Sequence, residues 1–146
     1  MVTNPNLGLT VSPQDLVGRV ATFRKTVSES DIYGFAGITG DFDPVHVDQE
    51  ESLRAGLPGR IAHGVLTLGY TSAASSIIMQ GTGITVVSAG YDRVRFLAPV
   101  TIGDTIAVRY EITEYVPDRK RLLADIKVSN QRDELVAVAT HIHAVI

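Results

Sequence analysis

The segment from His63 to Gln80 most constrains the fold of this chain, because it has the length of a helix and is apolar around its whole circumference. Its apolar positions are Val65, Leu66, Leu68, Tyr70, Ala73, Ala74, Ile77, Ile78 and Met79. A helix with one apolar side can lie on the surface of a domain, whereas a helix that is apolar all round has to be covered on every side. We therefore predict a central buried helix that the rest of the chain surrounds.

Beyond Ile84 the apolar residues recur at every second position, which is typical of strands with one buried face. Two segments, TIAVRYEIT and RLLADIKVS, show this alternation at Ile106, Val108, Tyr110, Ile112, Leu122, Ala124, Ile126 and Val128. Turn residues separate the segments, so we predict a meander of four antiparallel strands here and one earlier strand at Arg19–Val27. Strands that follow a run of helices indicate an α+β domain, with an antiparallel sheet wrapped around the central helix.

Composition favours one domain without a membrane span. The 146 residues suffice for one core, and we assign residues 1–18 to an N-terminal arm and residues 19–146 to the domain. No segment approaches the roughly 20 continuous apolar residues of a membrane helix. A net charge of −3 with scattered Lys and Arg argues against nucleic acid as a partner, and the absence of cysteine excludes thiolate metal sites and cysteine nucleophiles. Because no secretory signal is visible, we expect a cytoplasmic protein.

The stretch GDFDPVHVD, from Gly40 to Asp48, is predicted to be a polar turn between two helices. Ser28 and Asp31 have the spacing of a capping box that begins the first helix. That helix ends where Gly40 can adopt the left-handed conformation, and Pro44 disfavours helical dihedrals in the residue before it. Asp48 is then the N-cap of the second helix.

Three interpretations of this polar turn remain open: a zinc site, an acid/base pair, or a turn with only structural roles. A calcium loop of the EF-hand type is excluded by spacing, since His46 stands at the sixth position and Ser52 at the twelfth. A zinc site of one histidine with carboxylates is the weaker alternative. Asp41 and His46 can instead form an acid/base pair, because histidine gives or takes a proton near neutral pH. Finally, these residues can serve only as turn and cap residues, which is the interpretation preferred for Asp48.

Gly64 stands at the start of the predicted central helix, where free N–H groups and the positive end of the helix dipole can bind an oxyanion. Taken alone, this glycine is better explained by close packing or a sharp turn. Together with an acid/base pair, however, an oxyanion site matches the elimination or addition of water beside a thioester carbonyl. That reaction requires a stabilised enolate oxygen, a group for the Cα proton and a group that protonates the leaving hydroxyl.

The motifs GDFDPVHVD and GRIAHGVLTLGY, together with VRFLAPVTIGDTI, resemble those of the MaoC-like dehydratases and R-specific enoyl-CoA hydratases over most of the chain after residue 20. The resemblance implies a hot-dog fold and reversible hydration of a 2-enoyl thioester, on CoA or acyl carrier protein, to a 3-hydroxyacyl thioester. It also implies that Asp41 and His46 hold the catalytic water, while the Gly64 amide binds the thioester oxygen. No cofactor or metal is implied. Because the family usually joins sheets edge to edge, we expect a homodimer or a dimer of dimers.

Five further residues are candidates for substrate binding. Asp43 occupies a position where hydratases of this family often have Asn, and a carboxylate cannot donate hydrogen bonds as an amide does. His63 is expected to orient the loop or line the pocket, with a buried hydrogen-bonded histidine as the alternative. Arg60, Arg93 and Arg95 are candidates for the phosphates of CoA or of a carrier. Arg93 and Arg95 share a predicted strand face, and a solvated surface charge is the alternative for both.

Two other function classes are compatible with a hot-dog fold. Thioesterases of this fold place a carboxylate in or near the central helix, whereas the segment from Val65 to Met79 has neither Asp nor Glu. A non-enzymatic acyl-CoA-binding or scaffolding subunit would be expected to lack the Asp or the His, and this chain has both. His141 and His143 lie on one face of the last predicted strand, without an assigned role.

Overall fold

A computed structural model describes residues 2–3 and 10–146 of the chain. Within that part, the main sheet has five strands: β3 (Val20–Thr26), β4 (Val86–Phe96), β5 (Thr105–Val116), β6 (Arg121–Ser129) and β7 (Leu135–Val145). Their order across the sheet is β3-β5-β6-β7-β4, and every neighbouring pair is antiparallel. The helices are α1 (Glu29–Thr39), α2 (Pro44–Val47), α3 (Gln49–Arg54), α4 (Gly64–Gly69) and α5 (Thr71–Met79).

The core lies between α5 and the inner face of the sheet, where α5 packs against β3 and β5. The alternating positions predicted for β5 and β6 are the buried ones, from Ile106 and Val108 on β5 to Ile126 and Val128 on β6. Burying the side chains of one strand face removes apolar surface from water, which is the main stabilising contribution to such a domain. The predicted α+β architecture, with an antiparallel sheet around a central helix, is confirmed.

The predicted meander of four consecutive strands is wrong in one respect. β5, β6 and β7 follow one another across the sheet, but β4 pairs with β7 at the far edge instead of with β5. The chain between β4 and β5 has to cross about three strand spacings, roughly 14 Å, and its eight residues can span roughly 26 Å. Alternation identifies a strand and its buried face, but it does not identify the neighbour of that strand.

The central helix differs from the prediction in two respects. It is divided into α4 and α5, which are joined by Tyr70 in helical dihedrals. It is also not buried on every side, because Val65 is 61% exposed and Ile77 is 42% exposed. A single five-stranded sheet covers the face of α5 that packs on β3 and β5, and the opposite face of the helix remains open in the monomer.

The N-terminal region has more structure than the predicted arm. β1 (Val2–Thr3) pairs with β2 (Thr10–Val11), and a 3₁₀ turn follows at Pro13–Leu16. Leu16 is fully buried in the core, so the chain packs on the domain before residue 19. Residues 1 and 4–9 of the predicted arm lie outside the described residues, and the boundary at residue 18 stays a prediction. Among the described residues, no helix has the length and apolar character needed to cross a membrane.

Candidate active site

Helix α1 positions Asp41 at its C-terminal end. The predicted capping box is present: Ser28 Oγ accepts from the Asp31 amide at 3.2 Å, and the Ser28 amide donates to Asp31 Oδ2 at 2.8 Å. Gly40 follows the helix in the left-handed conformation with φ of 81°, and its amide donates to Ala36 O at 2.8 Å. Both ends of α1 therefore form as the sequence predicts, and they fix where Asp41 leaves the helix.

The turn after Asp41 is held by two aspartate caps. Asp43 is the N-cap of α2, where its side chain accepts from the Val45 amide at 3.1 Å, and Pro44 is the first residue of that short helical turn. Asp48 is the N-cap of α3, as predicted, and its Oδ1 accepts from the amides of Glu50 and Glu51. Capping needs an acceptor, which Asp and Asn both provide, so this role of Asp43 does not depend on the choice between them.

Replacing Asp48 with Ala should lower the free energy of unfolding by about 1 kcal/mol, the usual effect of removing an N-cap acceptor. Urea denaturation would measure this change. The matched control is Asp48→Asn, which keeps the acceptor and should stay within about 0.5 kcal/mol of the wild type. If the Asn variant lost as much stability as the Ala variant, the carboxylate charge, and not the cap, would be the stabilising feature.

Two hydrogen bonds define the proton positions on the histidines of the site. A carbonyl oxygen only accepts, so the Nδ1–H of His46 donates to Ile61 O at 2.7 Å, and Nε2 of His46 keeps a lone pair. By the same reasoning the Nε2–H of His63 donates to Asp41 O at 3.0 Å. The two rings are stacked, with centroids 3.7 Å apart and planes inclined by 25°. His63, 3% exposed, thus ties the start of α4 to the Asp41 backbone and supports the His46 ring.

The Asp41 carboxylate faces the same space as the two rings. One ligand atom from each of Asp41, His46 and His63 lies within 4.8 Å of the others. A water that accepts or donates hydrogen bonds of about 2.8 Å can bridge groups up to about 5.6 Å apart. The separation therefore admits one water between the carboxylate and an imidazole. The Asp41 side chain is 53% exposed, so it is open to a ligand.

The same three residues are a possible metal-ligand group, and the hydrogen bonds argue against that use. The Nε2 of His63 carries a proton donated to Asp41 O, and its Nδ1 is buried without a hydrogen-bond partner among the described residues. That leaves Nε2 of His46 and the Asp41 carboxylate as accessible ligands. A zinc site normally takes three or four protein ligands, so the site fits acid/base chemistry better than metal binding.

The site residues line one cavity of about 290 Å³, which we call the Asp41 cavity. Asp41, His46, His63 and Gly64, four of the residues predicted from the sequence, lie in its wall. The sequence reasoning missed its other lining residues, Phe35, Thr39 and Val65. The spacing of two of them was a signal in the sequence. Phe35 and Thr39 are four residues apart on α1 and therefore share a face of the helix, and Asp41 follows shortly after the end of that helix.

The remaining predicted residues lie outside that wall. Arg60 forms an ion pair with Glu29 and donates to the Tyr33 hydroxyl at 3.1 Å. Arg93 has a left-handed φ of 53° in an irregularity of β4 between Asp92 and Arg95. This irregularity interrupts the alternation on which a shared face for Arg93 and Arg95 was based. Roles of Asp43 and of the three arginines in substrate binding therefore stay predictions.

Gly64 is required by packing as well as suited to binding an anion. A Cβ placed on Gly64 would lie 2.7 Å from the ring of Phe96, the last residue of β4. Gly64 is also the first residue of α4, and the first amides of a helix have no partner within it. The packing interpretation of this glycine is thus supported, and it leaves the Gly64 amide available at the wall of the Asp41 cavity.

An antiparallel sheet wrapped around a central helix defines this chain as a hot-dog fold protein. The R-hydratase PhaJ1 from Pseudomonas aeruginosa has the same fold: its structure matches with a TM-score of 0.76 and 31% identity, over 88% of this chain and 81% of that one. The chain belongs to the MaoC like domain family, whose model matches residues 14–136. The family predicted from the two motifs is confirmed.

Two sequence relatives carry names that describe an activity. A 3-hydroxybutyryl-CoA dehydratase from Methylorubrum extorquens is 39% identical over 105 residues, which cover 72% of this chain and 65% of the relative. An (R)-specific enoyl-CoA hydratase from Rhodospirillum rubrum is 40% identical over 103 residues, which cover 70% of this chain and 69% of the relative. The matched region thus spans about two thirds of the length of these relatives.

Proposed function

We propose that this protein is a hydro-lyase that reversibly hydrates a 2-enoyl thioester, on CoA or acyl carrier protein, to a 3-hydroxyacyl thioester. The observation that carries the proposal is the placement of Asp41, His46 and Gly64 around one cavity. The names of the relatives support the reaction type, because they describe hydration and dehydration of acyl-CoA. The cytoplasmic location expected from the sequence stays a prediction.

In the proposed mechanism Asp41 exchanges a proton with the β-hydroxyl or water, and His46 exchanges one with Cα. In dehydration, the lone pair on Nε2 of His46 takes the Cα proton, and Asp41 supplies the proton with which the β-hydroxyl leaves as water. Dehydration thus starts from a protonated Asp41 and a neutral His46, and it leaves Asp41 as the carboxylate and His46 protonated at Nε2. Hydration starts from that second state: the Asp41 carboxylate takes a proton from the water that attacks C3, and His46 gives its Nε2 proton to C2. Nδ1–H of His46 stays bonded to Ile61 O throughout, which holds the ring in the tautomer that this chemistry needs.

Gly64 is proposed to stabilise the enolate oxygen of the thioester. Its amide lies at the start of α4, and Tyr70 continues the helical path into α5. A fixed amide costs no reorganisation when negative charge develops on the oxygen, which makes such donors effective in the transition state. The ring of Phe96 fills the space beside Gly64 and so limits movement of this segment.

We infer that the protein forms a homodimer through β4. This strand is at one edge of the sheet, and an unpaired edge is a template for pairing with another strand. Val87, Phe96 and Leu97, on β4 and just after it, are each about half exposed. A second copy of the chain paired along β4 would cover this apolar surface.

Hydration of crotonyl-CoA tests the proposed function directly. We expect a loss of enone absorbance and formation of 3-hydroxybutyryl-CoA. Because the chain has no cysteine, a thiol reagent reports only released CoA, and a thioesterase would be detected in the same assay. Binding of acyl-CoA without turnover of any short or medium 2-enoyl-CoA would contradict the proposal and support a binding or scaffolding subunit.

A further inference from the structure

One buried carboxylate, that of Asp104, lies outside the Asp41 cavity and has no part in the mechanism above. It closes a turn at residues 101–104, just before β5, which we call the Asp104 turn. Among the described residues it is the one acidic residue that is buried, with 3% exposed. Burying a carboxylate is costly unless hydrogen bonds or ion pairs replace the lost water. The groups around this side chain therefore indicate what it stabilises.

Four hydrogen-bond donors converge on the Asp104 carboxylate. Its Oδ2 accepts from the Thr101 amide at 2.9 Å and from the Thr101 hydroxyl at 3.0 Å. Its Oδ1 accepts from Gln131 Nε2 at 2.6 Å and from the Arg132 guanidinium at 3.0 Å. Burial acts to raise the pKa of Asp104, but these hydrogen bonds outweigh it and lower the pKa. The charged carboxylate thus ties Thr101 to the turn between β6 and β7.

The backbone of the Asp104 turn is fixed to the core. The Gly103 amide donates to Val27 O at 2.8 Å, and the Val27 amide donates to Asp104 O at 2.8 Å. Val27 is fully buried and lies two residues before α1, the helix that ends next to Asp41. The turn is therefore held against the same segment from which α1 leads to the catalytic carboxylate.

On its other side the Asp104 turn contacts the segment that precedes α4. An isolated antiparallel bridge joins Ile61 to Thr101, and the next residue, Ala62, donates its amide to Val100 O at 2.7 Å. An isolated bridge lacks the flanking hydrogen bonds of a strand ladder. Its geometry therefore depends on the groups that fix each side, and on the side of Thr101 these include the Asp104 carboxylate.

The residue in this bridge is also the one that holds the catalytic ring. Ile61 O accepts the Nδ1–H of His46 at 2.7 Å, and the Ile61 amide donates to Val45 O at 3.1 Å, in the short helix that carries His46. The position of the ring therefore follows that of Ile61. A displacement of about 1 Å can cost about 10²-fold in rate, even when the mutation lies far from the chemistry. Support of Ile61 thus bears on the rate as well as on folding.

We propose that Asp104 is a positioning residue for the proposed reaction. Its carboxylate fixes Thr101, and Thr101 in turn fixes Ile61, whose carbonyl oxygen holds the His46 ring. The inference rests on the proposed function, since it takes His46 to be the group that exchanges the Cα proton. Asp104 does not line the Asp41 cavity, so weakening its hydrogen bonds lowers the rate of the chemical step and leaves the affinity for acyl-CoA largely unchanged.

Asp104→Asn tests the inference with a side chain of the same shape. The NH2 group of Asn cannot accept a hydrogen bond, so the donors that face it lose their partner. We expect kcat for hydration of crotonyl-CoA to fall about 10-fold to 10²-fold. The affinity for butyryl-CoA, measured by calorimetry, should stay within about threefold of the wild type. An unchanged kcat, or a loss that appears only as weaker binding, would overturn the inference.

The matched control for stability is Ile126→Val, which shortens a buried side chain of β6. This change also lowers the melting temperature, but it leaves the hydrogen bonds from Asp104 to Thr101 in place. Its kcat should stay close to that of the wild type at a temperature where both proteins are folded. A loss of kcat as large as that of Asp104→Asn would mean that lowered stability alone reduces turnover, and it would overturn a positioning role.

A double variant separates positioning from general damage. If Asp104 acts through His46, its substitution has no further effect once the ring is absent. The kcat of Asp104→Asn with His46→Ala should therefore lie within about twofold of that of His46→Ala alone. Equal fractional losses with and without the ring would show that Asp104 acts on the whole domain, which would overturn the inference.

Thr101→Val is a smaller change that decides the question if Asp104→Asn does not fold. It removes the Thr101 hydroxyl and keeps the bond from the Thr101 amide to the carboxylate. We expect a smaller loss of kcat than in Asp104→Asn, again with the affinity for butyryl-CoA retained. A kcat equal to that of the wild type would count against the path from Asp104 to His46.

The position of the His46 ring also has a readout that needs no turnover. The chain has four histidines, so the NMR spectrum of protein labelled with ¹⁵N in histidine is simple, and His46→Ala assigns the signals of His46. In Asp104→Asn the Nδ1–H signal of His46 should shift, while the signals of His141 and His143 stay in place. A shifted signal would support the inference even if no 2-enoyl thioester were hydrated. An unchanged signal would overturn it even if crotonyl-CoA were a good substrate.

Discussion

Replacing Asp41 with Asn should lower kcat/KM for crotonyl-CoA hydration by about 10² to 10⁴-fold, the range that a positioned acid or base contributes. His46→Ala should cause a loss of similar size, because it removes the free Nε2 lone pair of a ring that lines the cavity. The two groups act together in one reaction, Asp41 on the water and His46 on the Cα proton, so the double variant should be little worse than the single ones. Stopped-flow or steady-state absorbance measurements would give these values.

Binding of a saturated ligand separates catalysis from folding in these variants. Butyryl-CoA cannot be hydrated, and its affinity should stay within about threefold in Asp41→Asn, a change below about 0.7 kcal/mol. The matched control is Asp48→Asn, the same chemical change seven positions along the chain, where Asn keeps the cap on α3. Unchanged turnover in Asp41→Asn, or an equal loss in Asp48→Asn, would refute the assignment of Asp41.

Local sequence signals predicted the elements that hold the site. The capping box at Ser28, the left-handed Gly40 and the Asp48 cap all depend on residues within a few positions of one another, and all three are present. Alternation along β5 and β6 likewise reports which face is buried, because side chains on a strand point to opposite sides in turn. Such features are determined by short stretches of chain and can be derived from one sequence.

Features that depend on distant parts of the chain were not predictable in this way. The position of β4 beside β7 depends on pairing between residues far apart in the sequence, and the partial exposure of Val65 depends on which parts of the chain pack around α4. The stacking of His63 on His46 joins residues 17 positions apart, on different elements. His141 and His143 were correctly placed on one strand face, but the sequence gives no sign that Tyr110 lies between them.

Those buried histidines should make the domain sensitive to acid over a defined range of pH. His141 has a folded-state pKa of about 4, lowered first by burial and then by His143, while an unfolded histidine has a pKa near about 6.5. Between these values the unfolded chain binds more protons than the folded one, so stability rises with pH and falls as the solution is acidified. The difference between the two pKa values corresponds to a loss of about 3 kcal/mol in the free energy of unfolding, at about 1.4 kcal/mol per pKa unit. Most of this loss has occurred when the pH reaches about 4.

Urea denaturation between pH 8 and pH 4, at one protein concentration, would measure this loss. His141→Gln removes the titrating group and keeps hydrogen-bonding capacity, so its free energy of unfolding should change less between pH 6.5 and pH 4 than that of the wild type. Asp104 also makes the free energy of unfolding depend on pH, but in a different pH range. Burial acts to raise its pKa, but hydrogen bonds from Thr101, Gln131 and Arg132 outweigh burial and lower it, so its contribution is lost only at more acidic pH. Parallel profiles for the wild type and His141→Gln would mean that the acid sensitivity arises elsewhere in the protein.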